Sequence, residues 1–94
     1  MLFIAGHLIV EAADRDTYVA ACASVVELAR GSSGCLDFAI TADTLDPRRV
    51  NVVERWASEA ELLAFRGSGP DAETAARILD ADVARYTISE VGPP

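Results

Sequence analysis

Arg49-Val50-Asn51-Val52-Val53-Glu54-Arg55-Trp56-Ala57-Ser58-Glu59-Ala60-Glu61-Leu62-Leu63 is the stretch that decides the fold. A β-branched run ends at the only tryptophan of the chain. Ser58 and Glu61 then supply the Ser-x-x-Glu capping box that opens a helix. Strand alternation puts Glu54 and Trp56 on one face and Asn51, Val53 and Arg55 on the other. A large aromatic at a strand end, beside a helix N-terminus, suits the wall of an apolar ligand site.

Upstream, Asp43-Thr44-Leu45-Asp46-Pro47-Arg48 is rich in turn formers. The loop is short, so Gly34 to Ala42 and Arg49 to Trp56 are predicted to form an antiparallel hairpin. Leu36, Phe38, Ile40 and Ala42 make the apolar face of its first strand. Asp14 to Arg30 is predicted as one helix, with Tyr18, Ala21, Cys22, Val25, Val26 and Ala29 in a stripe and Gly31 as the stop. Leu2 to Val10 is predicted as the first strand, apolar on both faces, with Gly6 marking a bulge or a close approach. Downstream, the capped helix runs to Phe65 and is broken by Gly67-Ser68-Gly69-Pro70. A third helix over about Asp71 to Asp82, a last strand from Ala84 to Val91 and a frayed tail over 92–94 complete the chain.

The order β-α-β-β-α-(α)-β is the split βαβ, ferredoxin-like pattern: an α+β fold with an antiparallel sheet and helices on one face. At 94 residues the expectation is a single domain over 1–94. A chain this short buries only about 60–65% of its unfolded surface. Yet 51% of its residues are hydrophobic. A second copy laid on the open sheet face is the simplest cover, and two-fold dimers are the commonest oligomers, so a homodimer is expected.

A net charge of −7 argues against nucleic acid and anionic membranes as partners. No apolar run approaches the roughly 18 residues of a membrane span. Met1-Leu2-Phe3-Ile4 carries no basic leader region. Cys22 and Cys35 fit no metal or redox motif. A reduced, cytoplasmic setting follows as the expectation, with both thiols packing the interior.

With that order in place, the chain resembles the antibiotic biosynthesis monooxygenase family of the dimeric α+β barrel superfamily, over nearly its whole length. The likeness rests on the apolar first strand, on Ser33-Gly34-Cys35 opening the second, and on Val53-Glu54-Arg55-Trp56-Ala57-Ser58-Glu59-Ala60-Glu61-Leu62, where a Glu-x-Trp strand end runs into a capped helix. The resemblance implies two sheets packed across a dimer into a barrel, and a pocket in each subunit between sheet and helices. Some members oxidise aromatic polyketides to quinones with O₂ and neither metal nor flavin. Others act on small quinols or aldehydes, degrade haem, or have no assigned reaction. Many carry a His nine residues after the Trp. Here that position is Phe65, followed by Arg66, and the only His is His7. Haem degradation is therefore disfavoured, and a quinol oxidation would need another base.

The residues allow two readings each. Trp56 stacks on a flat substrate or anchors the second helix in the core. Phe38 and Phe65 are core that can touch a ligand. Tyr86 orients a phenolic substrate or packs its ring. Arg66 holds an acidic substrate or caps helix carbonyls. His7 is the candidate general base, or a hydrogen-bonded structural residue. The Asn51 amide bonds a substrate carbonyl or a bound peroxide, or sits at a subunit interface. Glu54, if buried beside Trp56, needs a cationic partner or a raised pKa, and an ion pair at the subunit interface is the favoured reading. There is no Gly-rich phosphate loop, nucleophile elbow or metal-spaced cluster, so neither metal nor cofactor is expected. The favoured reading is a cofactor-independent monooxygenase that oxidises a small aromatic, phenolic or quinol substrate with O₂. The alternative is a non-catalytic barrel module that binds a small apolar ligand or serves stress response. A third is an enzyme of a neighbouring barrel branch, such as an isomerase.

Overall fold

The computed structural model describes residues 1–68 and 76–94. Its elements are β1 (Leu2–Ile9), α1 (Arg15–Ala21), α2 (Ala23–Arg30), β2 (Cys35–Ala42), β3 (Arg49–Trp56), α3 (Glu59–Phe65), a 3₁₀ turn (Arg66–Ser68) and β4 (Asp80–Thr87). The sheet order is β2-β3-β1-β4 with every neighbouring pair antiparallel. This is the expected α+β, ferredoxin-like arrangement. The smallest extent is 19 Å, the thickness of one helical layer on one sheet.

Two apolar clusters fill the space between the layers. One joins Ile4, Ala29, Phe38, Trp56 and Leu62. The other joins Val10, Tyr18, Cys22 and Val50. Both are built by alternation along β3, where Val50, Val52, Glu54 and Trp56 are buried. At the hairpin end, the Arg15 guanidinium reaches the carbonyls of Asp43 at 3.2 Å and Asp46 at 2.8 Å. This ties the start of α1 to the β2–β3 loop.

Two glycines are required by local geometry. Gly34 has φ +80° and its carbonyl accepts from the Ala57 amide at 2.8 Å, which fixes the start of β2 against the end of β3. At Gly6 β1 passes so close to β4 that a side chain would strike the backbone of Asp82 and Val83. That is the close approach the sequence allowed, without a bulge. The bulge lies instead between Cys35 and Asp37 in β2.

The structure corrects three boundaries. The helix expected over 14–30 is divided into α1 and α2 at Cys22, whose amide is shared between the carbonyls of Tyr18 and Val19, both at 3.1 Å. The last strand begins at Asp80 rather than Ala84 and ends at Thr87 rather than Val91. Its residues pair with β1 along the full length, from Ile9↔Asp80 to Leu2↔Thr87, so the ladder overrides the helical reading of 80–82. The predicted third helix over 71–82 otherwise falls largely outside the described residues, as do Gly69 and Pro70 of the predicted break.

Among the described residues no helix packs on the second sheet face. Register sorts it into rows across β4, β1, β3 and β2: Asp82, His7, Asn51, Thr41; then Ala84, Ala5, Val53, Ala39; then Tyr86, Phe3, Arg55, Asp37. A band of small apolar residues thus runs across the middle of the face, between two more polar rows. Among the described residues no helix is long and apolar enough to cross a membrane.

Candidate functional site

The covered face at the end of β3 concentrates aromatic surface around one buried charge. Ser58 is the N-cap of α3, and its hydroxyl accepts from the Glu61 amide at 3.3 Å. The cap sets the helix across the strand end, and Leu62 and Phe65 pack down onto Trp56. The Trp56 and Phe65 rings lie 5.3 Å apart at 33°, and Phe38 meets Phe65 edge-on at 5.8 Å and 69°. Trp56 is wholly buried.

Glu54 lies inside this cluster with its side chain only 9% exposed. Its Oε1 accepts from the indole Nε1–H of Trp56 at 3.1 Å. Its Oε2 faces the Arg66 guanidinium at 3.6 Å, and Arg66 remains half-exposed. The cationic partner of the buried Glu54 thus comes from within the chain, one residue beyond α3, and not from the subunit interface where the ion pair is expected from sequence. Nearby, the Cys35 thiol is pushed up from its ordinary value, first by burial and then by the charge of Glu54. In the other cluster burial raises the Tyr18 phenol to about 12, with Cys22 adding to it, and burial also raises the Cys22 thiol. Both cysteines are free.

The structure brings together Trp56, Phe38, Phe65 and Arg66 of the predicted site residues. It separates the others. Tyr86 pairs with Phe3 on the uncovered face and is 53% exposed, so it does not join the aromatic cluster. His7 and Asn51 are cross-strand partners on that same face, with Asp82 on the other side of His7. The whole thickness of the sheet divides them from Trp56. Asn51 is also engaged: its Oδ1 accepts from Arg49 at 2.7 Å and its amide donates to Asp43 at 3.0 Å. That amide, then the backbone amides of Asp46 and Leu45, hold the Asp43 carboxyl down at about 2.

A cleft of about 520 Å³ opens elsewhere, between α1, α2 and the edge strand β2, lined by Val19, Ala23, Val26, Glu27, Arg30 and Ile40. Its floor, Val26 and Ile40, packs on the Trp56 cluster without exposing Trp56. Arg30 Nε donates to the Phe38 carbonyl at 2.9 Å at its side. Sequence reading did not find this cleft. Among the described residues no group of three or more His, Cys, Asp or Glu is placed to hold a metal ion.

The model of the family described as antibiotic biosynthesis monooxygenase matches residues 1–77. Among solved structures, a protein of Deinococcus radiodurans described as an antibiotic biosynthesis monooxygenase superposes with a TM-score of 0.79 at 16% identity, covering 100% of this chain and 98% of its own. One of the same description from Nitrosomonas europaea gives 0.81 at 16% identity, with 96% and 100% coverage. A conserved protein from Methanosarcina mazei gives 0.77 at 17%, with 90% and 89% coverage. At these identities the structures speak for the fold. Comparison with curated protein sequences gives no significant match.

Proposed function

Because the chain belongs to the antibiotic biosynthesis monooxygenase family, we propose that it is a cofactor-independent monooxygenase oxidising a small phenolic or quinol substrate with O₂, at the helix-covered face of the sheet. The observation that carries this reading is the convergence of Trp56, Phe65 and Phe38 around a buried carboxylate–guanidinium pair. Phe65, the half-buried ring of the cluster, offers its face to the ligand ring, and the low-dielectric surroundings strengthen any polar contact to it. The substrate supplies the electrons, as an easily deprotonated phenol can. His7 and Asn51 face away from this site, so in this reading they belong to a subunit interface instead. A homodimer closed over the uncovered face fits the apolar middle row of that face.

A second reading, a non-catalytic module for a small apolar ligand, is favoured by the cleft along α1, α2 and β2, whose walls are mainly aliphatic. Oxygen-electrode measurements with hydroxyanthrones and hydroquinones, without added metal or flavin, separate the two. Substrate-dependent O₂ uptake above the uncatalysed rate supports the monooxygenase. Binding without uptake across a broad phenol panel supports the module.

A further inference from the structure

Glu54 is a charged group in the interior of a small domain, where burial is costly unless partners offset it. An apolar residue of similar size in that place would pack against Trp56 and Phe65 at little or no loss of stability. The two oxygens are not equally engaged. Oε1 receives the Trp56 indole N–H at 3.1 Å. Oε2 has the Arg66 guanidinium at 3.6 Å, within ion-pair range but beyond hydrogen-bond length, and Arg66 is itself half-exposed. One carboxylate oxygen is therefore anchored, while the other keeps acceptor capacity towards the half-exposed Arg66. His7, the alternative base, is on the opposite face of the sheet.

We infer that Glu54 Oε2 is the acceptor for a hydroxyl group of the aromatic ligand and takes its proton. The inference rests on the helix-side aromatic site proposed above. The ligand ring lies against Phe65, with its hydroxyl between Oε2 and Arg66. In the proton step the ligand O–H bond breaks, the proton passes to Oε2, and the electron pair stays on the ligand oxygen. The negative charge then sits beside Arg66. The cluster holds one positive and one negative charge before and after, so the transfer leaves no unpaired buried charge. The same carboxylate repels an aromatic carboxylate, so the site selects hydroxyarenes over arene acids.

Calorimetric titration of the full chain with 1-naphthol and 1-methoxynaphthalene tests the hydroxyl contact, and O₂ uptake with a hydroquinone tests the proton step. The expected result is at least tenfold tighter binding of 1-naphthol, a difference of about 1.4 kcal/mol. Glu54→Gln should bring the two affinities within about twofold and lower turnover of the hydroquinone at least tenfold. Arg66→Gln, at a half-exposed position, should keep the hydroxyl preference, and its loss there would assign the hydroxyl to Arg66 even if the Glu54 variant is poorly folded. Equal binding of both compounds to the natural chain overturns hydroxyl recognition and leaves the aromatic site standing. Binding of neither overturns the site as well. A naphthol preference or a turnover that survives Glu54→Gln overturns the assignment, and absence of O₂ uptake by the natural chain overturns the proton step together with the monooxygenase reading.

Discussion

Gly34 lies directly against the carboxylate of Glu61, which is itself held by the hydroxyls of Ser33 at 2.8 Å and Ser58 at 3.0 Å. The capping box of α3 thus also docks the start of β2. An Ala at position 34 meets both a positive φ and a carboxylate with two partners. A left-handed alanine alone costs roughly 1–2 kcal/mol. Gly34→Ala should therefore lower Tm by roughly 5–15 °C. Ser58→Ala should cost about 1 kcal/mol through the lost cap. Differential scanning calorimetry reads both, and an unchanged Tm for Gly34→Ala would contradict the contact.

Asp43 predicts the acid limb of stability. Its folded pKa is about 2, below the ordinary carboxylate value, because Asn51 and two backbone amides bond the charged form. A depressed carboxyl stabilises the fold above its unfolded pKa and loses that contribution as pH falls through the folded one. Thermal melts of the natural chain and Asp43→Asn should differ at neutral pH. The gap should shrink below pH about 4 and close near 2. A gap that persists at pH 2 would rule this out.

The thiols should differ in reactivity. Cys22 is buried and Cys35 only partly so, and burial raises both above their ordinary value. A disulfide reagent at pH 8 should label Cys35 slowly and Cys22 only on unfolding. Complete denaturation without reductant should release two thiols. Recovery of none would show a disulfide.

Val53 sits in the middle of the small apolar row on the uncovered face, between Ala5 and Ala39. Sedimentation of the natural chain at micromolar concentration should show a dimer. Val53→Asp should convert it to monomer, because it places a charge in a dry interface core. A natural chain that sediments as a stable folded monomer would dismiss the homodimer.

The parts of this fold legible in the sequence are those with a short period and a local signal. The β2–β3 hairpin, the α3 cap, and the separation of Asn51 from Trp56 all follow from alternation by two and from Ser58 and Glu61. The start of β4 is not legible because Asp80-Ala81-Asp82 shows no apolar alternation and reads as helix, in a strand that lies exposed throughout. The division at Cys22 leaves no trace in composition. In the candidate site, alternation could show that Glu54 needs a cation, but not which one. Arg66 reaches it only because α3 folds back over the strand end. That Tyr86 lies on the face away from Trp56 follows only from its pairing with Phe3, a long-range register that no local signal carries.

The bond from Arg30 to the Phe38 carbonyl has a consequence for how these chains can aggregate. β2 is an outer strand of the sheet, and an outer strand normally offers its free backbone groups to any extended chain that comes alongside. Arg30 occupies one of those groups at 2.9 Å, and the irregularity between Cys35 and Asp37 disturbs the ladder just before it. Together they blunt this margin against runaway fibre growth by sheet extension. Removing the guanidinium would re-expose a template for it without touching the interior of the protein.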